Sequence, residues 1–548
     1  MKKIFSYLAK FLIKNLYFRT SWKLLKILPP SYPEPTLLNN WYSSQWGDYH
    51  AWLQKHSLPS INQLKKYRRE IEKWNDFPTF SIITPVYNTT SPVLTETILS
   101  VYQQCYPYWQ LCIVDDGSTL KETTDTLKSP LTKDPRIDIR HNNSSLGISN
   151  ASNKALGMAK GQYMVFLDHD DRLSFDALYC LAKEINDKPN TDILYTDRDM
   201  IDPKGFRYMH LFKPDWSPET LLSGNYAFHL VCYRYGFLKK IGLLRSQYDG
   251  SQDYDLLLRA AEYDPIVTHI PKILYSWRQQ ETSIAHLPEC KEYVFKSGKA
   301  ALKAALQRRG LKGRVSENSL LWRGNYQIDF EIQQNHDTHL ITYTPDTKPG
   351  ELKKQIKSLP ESDSLILLSS AIKNPGQQSI NHLIASLAID KIAITTGKII
   401  TIDHKLFHAG LFFTKEGRIF SPYKDCPDSE PGYMAMTSIL RNISLPHPMC
   451  LALKMEVCHQ LSGFRGDCSM ETAILDLALR AQQKNWRVIY EPKAIFTLKR
   501  KINNEFGTLL EEYHYSQKLK KYFPKGDPYY NPNLSNAKNT ISLPFSKI

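Results

Sequence analysis

Two acidic side chains separated by one residue, Asp168 and Asp170, follow directly on the apolar run at residues 163–167. An apolar run that ends abruptly in polar residues is typical of a buried strand that opens into a loop. Two hard carboxylates at such a strand end suit a Mg²⁺ or Mn²⁺ ion that takes its remaining ligands from phosphate and water. The alternative is a solvated acidic turn that caps the following helix.

Two earlier segments show the same arrangement. The segment SIITPVYN at residues 81–88 begins apolar and breaks at its proline and asparagine, and LCIV at residues 111–114 leads into the polar sequence VDDGS. Three strands, each followed by helix-like sequence, predict an open α/β sheet with a ligand crevice at the carboxyl ends of its strands. Thr84, Asp115 and Asp168 should therefore meet at one edge of this sheet.

The loop HNNSSLG at residues 141–147 follows a further predicted strand and precedes a predicted helix at residues 148–160. Gly147 permits a close approach of the backbone, and the free N–H groups of a helix N-terminus suit a phosphate group. Asn150 and Asn153 lie on the opening turns of this helix. This region therefore predicts a phosphate-binding side of the crevice.

The motifs TPVYN, VDDGS, NSSLGISNASNKAL and FLDHDD occur in this order, and the pattern resembles glycosyltransferase family 2, whose members have the GT-A fold. The resemblance continues through YTDRD, KPDWSPETLLSGNY and GSQDYDLLLR and covers roughly residues 78–285. It implies an α/β enzyme that transfers a sugar from a nucleotide-diphosphate donor.

The same resemblance implies roles for the crevice residues. Asp170 would bind the metal, Asp168 would lie near the ribose and the metal, and Asp171 would support them. Asp115 would accept a hydrogen bond from uracil or thymine, which implies a UDP- or dTDP-sugar. The remaining residues of the implied donor pocket are Thr84, Pro85, Tyr87, Asn88, Asp116, Gly147, Asn150 and Asn153.

Asp253, in the segment SQDYDLLLR, matches the position of the family's catalytic aspartate. It would take the proton of the acceptor hydroxyl, and a single displacement on an α-linked donor would give a β-linked product. Gln252 stands where many members carry glutamate, which leaves the proton transfer to Asp253. Asp255 either fixes the helix and its loop or acts directly, and His229 is either a pocket residue or a satisfied core histidine.

Residues 315–500 contain a weak internal repeat of the region that resembles the family. The segment at residues 253–260 lines up with residues 474–481, and the apolar strand that follows each is similarly spaced. This alignment puts Ile474 in the position of the catalytic Asp253, so the second copy lacks a base there.

The acidic pair is also replaced in this second half. Residues 364–369 parallel residues 163–168, so Ser369 and Ala371 stand in place of the two aspartates, and neither can hold a divalent cation. No counterpart of VDDGS is present. We expect a degenerate GT-A-like half; the alternative is an α/β domain of unrelated origin.

The composition limits the class of protein. A chain of 548 residues is too long for one core and predicts two or three domains. The net charge of +15 implies an acidic partner, which could be nucleic acid, a phosphorylated substrate or an anionic membrane. Scattered basic residues and the lack of a recognised module argue against nucleic acid. Nine cysteines without a CxxC pair argue against zinc and disulfides and favour a reducing cytoplasm.

Residues 1–28 predict a basic amphipathic helix, which either lies on an anionic membrane surface or packs on the protein itself. Lysines interrupt its apolar side, so neither a signal peptide nor a spanning helix is expected. The predicted domains are a basic helix at residues 1–30, a helical connector at 31–77, a GT-A domain at 78–310, a degenerate GT-A-like domain at 311–505 and a tail at 506–548.

The family resemblance implies an inverting glycosyltransferase that builds a surface glycan or a lipid-linked saccharide. It would be cytoplasmic and peripheral on the inner face of the cell membrane. A nucleotidyltransferase on a similar sheet would have no sugar hydroxyl for Asp253 to deprotonate. A catalytically inactive glycan-binding or scaffold protein would suit the second half, although the first half keeps its aspartates together.

Overall fold

The computed structural model of the chain divides into two compact units. The first unit comprises Met1–Phe212 and Ala227–Gly298, and the second comprises Lys213–Tyr226 and Lys299–Ile548. The structure describes residues 47–202, 205–279, 292–332, 337–500 and 509–535. The predicted helix at residues 1–28 therefore lies outside the described residues, and the predicted domain boundaries stay predictions.

A nine-stranded sheet is the frame of the first unit. Its strands are β1 (Phe80–Val86), β2 (Trp109–Asp115), β3 (Ile137–His141), β4 (Tyr163–Phe166), β5 (Arg172–Leu173), β6 (Ile193–Ile201), β7 (Arg207–Leu211), β8 (Val231–Arg234) and β9 (Val267–Arg278). They follow the order β3-β2-β1-β4-β8-β6-β9-β5, and β7 pairs with β6. Strands β1 to β4 are mutually parallel, whereas β8 runs antiparallel to β4 and β6. The predicted α/β sheet is confirmed.

Helices cover this sheet, and every residue of β1 and β6 is buried, as expected for strands with both faces packed. The helices of this part of the chain are α1 (Gly47–Trp52), α2 (Ile61–Ile71), α3 (Ser91–Tyr102), α4 (Lys121–Lys128), α5 (Ile148–Leu156), α6 (Ala177–Asp187), α7 (Tyr235–Ile241), α8 (Gln252–Ala261) and α9 (Glu292–Arg308). Helix α5 ends before Gly157, earlier than the predicted residue 160.

The second unit has a seven-stranded sheet of its own. Its strands and those of its two hairpins are β10 (Gly313–Glu317), β11 (Tyr326–Phe330), β12 (Thr338–Tyr343), β13 (Ser364–Ser369), β14 (Ile392–Ile400), β15 (Leu406–His408), β16 (Phe412–Phe413), β17 (Ile419–Phe420), β18 (Arg441–Ile443), β19 (Cys450–Lys454) and β20 (Arg487–Thr497). Its helices are α10 (Pro349–Ile356), α11 (Gln377–Ser386), α12 (Met455–Gln460), α13 (Met470–Gln482) and α14 (Leu509–Tyr522). The sheet order is β12-β13-β19-β14-β20-β18, with β15 on β14.

Strands β12, β13, β19, β14 and β20 repeat the order and directions of β1, β4, β8, β6 and β9. The pairing register agrees as well. The equivalent pairs are Tyr163 with Arg234 and Ser364 with Lys454, and Leu194 with Cys232 and Thr395 with Ala452. This register makes Ser369 the structural equivalent of Asp168, as the sequence alignment does. It supports a degenerate GT-A-like half. The sheet ends at β12, so within the described residues it has no counterpart of β2 and β3.

A buried ion pair fixes α8 to the loop before it. Asp255, which is fully buried, accepts hydrogen bonds from the guanidinium groups of Arg245 and Arg259. Arg259 also donates to the carbonyl oxygens of Ile241 and Leu243. Of the two predicted roles of Asp255, these contacts favour the structural one.

The second unit builds the same clamp on α13. Asp476 pairs with Arg465 and Arg480, and Arg480 donates to the carbonyl oxygens of Leu461 and Gly463. Because an aspartate–arginine ion pair whose arginine also bonds to the backbone of the preceding loop recurs at equivalent places, the repeat extends beyond strand order to side-chain contacts.

Two observations bear on the expected environment. Eight of the nine cysteines lie in the described ranges, and all eight are free thiols. Every helix in those ranges is too short or too polar to cross a lipid bilayer.

Candidate active site

The carboxyl ends of β1 to β4 meet at one edge of the first sheet. Asp115, at the end of β2, pairs with Val86 of β1 and with His141 of β3. Strand β4 lies on the other side of β1 and ends at Phe166, two residues before Asp168. The polar residues that follow these parallel strands therefore lie along one edge, as the sequence predicts.

Asp253 belongs to the same cluster of negative charges as the D-x-D pair. Burial, together with the charges of Asp170 and Asp253, raises the pKa of the Asp168 carboxyl to about 7. Carboxylates must be near one another to act in this way. The Asp168 side chain nevertheless keeps 37% of its surface exposed, so the cluster is open to solvent. The charge of the predicted base thus acts on one of the predicted metal ligands, and the roles of these residues stay predictions.

Asp171 fixes the acidic turn, residues 168–171, to strand β9. Its carboxylate is fully buried and accepts hydrogen bonds from the Tyr275 hydroxyl at 2.5 Å and from the backbone N–H of Arg278 at 2.7 Å. Burial, with the charges of Asp170 and Asp168, raises its pKa well above the usual range. Asp171 therefore holds the turn to β9, and both of its oxygens already have partners.

Arg278 is a contact residue that sequence reasoning missed. Its Nε donates to the carbonyl oxygen of Asp170 at 2.8 Å, and its Nη2 pairs with Glu96 at 2.6 Å. Together with its backbone bond to Asp171, the side chain fixes the acidic turn at two consecutive residues. The only sequence signal was its place at the end of the resembling region.

His229 lies beside the acidic cluster. Its Nε2 is 3.9 Å from an oxygen of Asp168, and its ring stacks on Tyr275 with 5.0 Å between centroids. With 18% of its side chain exposed, His229 borders the site, which favours the pocket residue of its two predicted roles.

Asp168 and Asp170 fit the predicted divalent cation. They offer hard oxygen ligands at a point where like charges repel, and a cation would relieve that repulsion. In the described ranges no three His, Cys, Asp or Glu side chains form a ready cage for an ion. A two-carboxylate site is the arrangement that suits Mg²⁺ or Mn²⁺, since these ions keep several waters and bind substrate phosphates.

Asp115 is oriented by two partners on the donor side of the edge. One oxygen accepts from the backbone N–H of Ser118 at 3.0 Å, and the other lies 3.0 Å from Nδ1 of His141. Asn88 orders the loop that follows, because its side-chain oxygen accepts from the backbone N–H groups of Thr119 and Leu120.

Three other residues predicted for the donor pocket, at the end of β1 and just after it, differ in accessibility to solvent. Thr84 and Pro85 are buried, whereas Tyr87 is 46% exposed. The Thr84 hydroxyl has no hydrogen-bond partner within the described residues. Tyr87 is thus the one of the three whose side chain reaches solvent, and donor contacts of all three stay predictions.

Two acidic side chains of the protein contact the backbone at the start of α5, and the predicted phosphate contacts of this region stay predictions. The carboxylate of Asp116 accepts from the backbone N–H groups of Leu146 and Gly147 at 2.9 and 3.0 Å. Asp249 accepts from the backbone N–H of Ser149 at 3.3 Å and from its hydroxyl. Two carboxylates of the protein thus occupy the place predicted for phosphate, because a helix N-terminus favours negative charge from any source.

The two asparagines of α5 bond within the protein. Asn153 exchanges two hydrogen bonds with the backbone of Leu244, at 2.8 and 3.1 Å. Asn150 is exposed and donates to the carbonyl oxygen of Leu146 at 2.8 Å. Asn153 therefore faces the loop that precedes α8, and the donor contacts of both asparagines stay predictions.

The sequence and structure of the chain are similar to those of known proteins. Residues 81–241 match the model of Glycosyl transferase family 2. The chain is 25% identical to an uncharacterized protein, y4gI, of Sinorhizobium fredii over 86% of this chain and 59% of that protein. It is 24% identical to the O-antigen biosynthesis protein RfbC of Myxococcus xanthus over 89% of this chain and 42% of RfbC. The structure of S. aureus TarS 1-349 with UDP-GlcNAc matches at 19% identity, with a TM-score of 0.34, over 42% of this chain and 66% of that one.

The chain thus spans less than two thirds of the length of the two relatives. The matched residues run from β1 to α7 and include the D-x-D pair. The family predicted from the sequence motifs is confirmed for this domain.

Proposed function

We propose, on the premise that this chain carries a glycosyl transferase family 2 domain, that it transfers a sugar from a nucleotide-diphosphate donor to a hydroxyl group of a growing glycan. The observation that supports the proposal is that the charge of Asp253, the base candidate, acts on Asp168, one of the two candidate cation ligands. A nucleotidyltransferase would have no sugar hydroxyl to deprotonate and no use for this base.

Asp253 acts as general base in this proposal. It lies in the first turn of α8, and the Asp255 clamp fixes that helix to the preceding loop. A base must be held within hydrogen-bond reach of the hydroxyl whose proton it takes. Removal of that proton as the oxygen attacks C1 from the far side gives inversion at the sugar carbon.

Asp168 and Asp170 would hold Mg²⁺ or Mn²⁺. When bound, such an ion supplies neutralisation of the charge that develops on the departing diphosphate. Arg278 and Asp171 keep the turn rigid while the ion and the nucleotide enter and leave. Asp115 would accept a hydrogen bond from uracil or thymine, which makes a UDP- or dTDP-sugar the proposed donor.

The acceptor is proposed to be a surface glycan or lipid-linked saccharide. RfbC, which is named for O-antigen biosynthesis, matches over 89% of this chain, and its similarity supports glycan assembly. The net charge of +15 suits an anionic membrane surface or a lipid-linked pyrophosphate. On this basis we place the protein at the inner face of the cell membrane.

The test is turnover of a panel of sugar nucleotides with Mn²⁺, for wild type, Asp253→Asn and the control Asp125→Asn. Asp125 lies on α4 with 59% of its side chain exposed, so its variant carries the same chemical change away from the site. We expect Asp253→Asn to lower the rate by about 10²- to 10⁴-fold, the usual contribution of a general base. Full turnover by Asp253→Asn would contradict the proposal, and a wild type that binds no sugar nucleotide would support the scaffold alternative.

A further inference from the structure

We propose that Asp249 is a positioning residue, which ties the loop that carries the base to the helix N-terminus on the donor side. The inference rests on the proposed function, because it explains how Asp253 is held in place. No feature of the sequence motifs singled out Asp249, which precedes the segment GSQDYD by one residue.

The contacts of Asp249 reach across the first unit to α5. One oxygen accepts from both the backbone N–H and the hydroxyl of Ser149, a residue that is fully buried. The other oxygen lies against Gly147, where an added Cβ would overlap it. Gly147 has a φ of +89°, so glycine is favoured there both by its backbone conformation and by the space that the carboxylate takes.

A second contact runs parallel to the first. Asn153, one turn further along α5, exchanges two hydrogen bonds with the backbone of Leu244. Helix α5 therefore holds the segment between α7 and α8 at two points, Leu244 and Asp249. Both lie close in sequence to Asp253.

The loop is also fixed on the side that leads into α8. The Ser251 hydroxyl donates to the carbonyl oxygen of Val294 at 2.9 Å, and Gln252 accepts from the backbone N–H of Gly250 at 2.8 Å. Gln252, which replaces the glutamate of many family members, thus bonds to its own loop. With its neighbours held in this way, Asp253 has little freedom to move relative to Asp249.

The same α5 terminus is bound from the donor side. Asp116, which follows Asp115, accepts from the backbone N–H groups of Leu146 and Gly147. Gly147 therefore contacts Asp116 on one side and Asp249 on the other. A continuous set of contacts joins the nucleotide edge to the base, so a shift of Asp249 should displace Asp253 from the acceptor hydroxyl without removing any group that binds the donor.

The experiment compares Asp249→Ala, Asp249→Asn and Ser149→Ala with the exposed control Asp125→Asn. A displacement of about 1 Å can cost 10²-fold in rate. We expect Asp249→Ala to lower kcat about 10- to 100-fold while the donor KM and the affinity for UDP with Mn²⁺ change less than about twofold. Asp249→Asn should recover most of the rate, since its amide oxygen can still accept from Ser149.

A double-mutant cycle of Asp249→Ala with Ser149→Ala separates a shared contact from two independent ones. The double variant should be no slower than the slower single variant. An unchanged kcat in Asp249→Ala, a raised donor KM at constant kcat, or fully additive losses would each overturn the inference.

Hydrogen exchange of the backbone amides tests the tie without any need for turnover. In Asp249→Ala the amides of residues 249–254 should exchange at least about tenfold faster, whereas those of residues 258–261, later in α8, should be unchanged. Unaltered exchange at residues 249–254 would overturn the tie itself. Inactive wild type with the expected exchange pattern would instead count against the proposed function alone.

Discussion

The two units have the same scaffold but differ where chemistry would be done. Five strands in the same order and register, and an aspartate clamp on equivalent helices, occur in both. At the strand end the first unit has Asp168, and the second has Ser369. On the equivalent helices, the first unit has Asp253 in the first turn of α8, and the second has Ile474, which is fully buried, one turn into α13. The comparison separates the strands and the clamp, which both units share, from Asp168 and Asp253, which only the first unit has and for which we propose a role in ligand binding and catalysis.

The same comparison explains the loss of the nucleotide edge. In its described residues the second sheet ends at β12, whereas the first continues through β2 and β3, which carry Asp115 and His141. In the described part of the second unit, the strands that would carry the binding site for the uracil or thymine ring are thus missing together with the acidic side chains. The clamp remains, because it stabilises the helix whether or not a ligand binds.

The largest effects on stability should come from breaking the two clamps. Removal of one partner of a buried ion pair costs roughly 3–5 kcal/mol when the charge left behind stays buried without compensation. In the first unit that charge is Arg259, which is 9% exposed, whereas Arg245 is 35% exposed. We expect Asp255→Ala to lower the free energy of unfolding of the first unit by about that amount. Denaturant unfolding, with hydrogen exchange to assign each transition to a unit, measures the loss.

Asp476→Ala is the matched variant in the second unit. Its partners Arg465 and Lys518 are 53% and 37% exposed, so water can solvate the cations that lose their carboxylate. We expect a smaller loss than for Asp255→Ala, and a loss of sugar transfer only if the whole chain unfolds. A larger loss in the second unit would contradict the clamp comparison.

Next in size is the effect of Arg278 on metal binding. Loss of the contact that orients a metal-binding turn typically costs 10- to 100-fold in affinity. Arg278→Ala should therefore weaken Mn²⁺ binding about 10- to 100-fold, as measured by titration of the metal dependence of UDP binding.

Lys499→Ala supplies the control from the second unit. Lys499 donates to the carbonyl oxygen of Ser370 at 2.8 Å, which is the equivalent turn without its carboxylates. Because no ligand is expected there, Mn²⁺ and UDP affinity should stay unchanged. An equal loss in both variants would show that the turn in the first unit is not special.

The smallest effect concerns pH and the second unit. Burial raises the pKa of Asp527 to about 7, and its Oδ2 has no hydrogen-bond partner in the described residues, which suits a protonated carboxyl. The folded state thus keeps a proton that the unfolded chain releases near pH 4. The stabilisation is complete below that pH and is lost as the pH rises through about 7, by about 1 kcal/mol per pH unit.

Asp527→Asn should make this dependence shallower. The contribution of Glu491 should remain, because burial raises its pKa to about 7 as well. The free energy of unfolding of wild type and of Asp527→Asn is measured between pH 5 and 7. A slope in Asp527→Asn equal to that of wild type would contradict the assignment, and an altered pH profile of turnover would break the separation of the two units.

The sequence was sufficient for the parts of the fold that depend on local pattern. Apolar runs that end in polar residues predicted β1, β2 and β4, and the repeat at residues 474–481 predicted α13 and the missing base. The approach of Asp253 to Asp168 was predicted from family resemblance, and their mutual electrostatic effect agrees with it.

Contacts between distant segments could not be predicted in this way. Asp249 belongs to a short polar stretch without periodicity and Arg278 is the last residue of β9, and their partners Ser149 and Asp170 are about 100 residues away. The acidic partners at the start of α5 could not be predicted for the same reason, since a pattern at residues 141–160 carries no information on the carboxylates that approach from other loops.

The most direct test of the account is the stoichiometry of nucleotide binding, measured by calorimetry with UDP and dTDP in the presence of Mn²⁺. Asp170→Ala is measured beside wild type and Ser369→Ala, which changes the residue of the second unit that is equivalent to Asp168. We expect one nucleotide per chain in wild type and in Ser369→Ala, and none in Asp170→Ala. Two nucleotides per chain, or binding that survives Asp170→Ala, would contradict the claim that only the first unit has the chemistry.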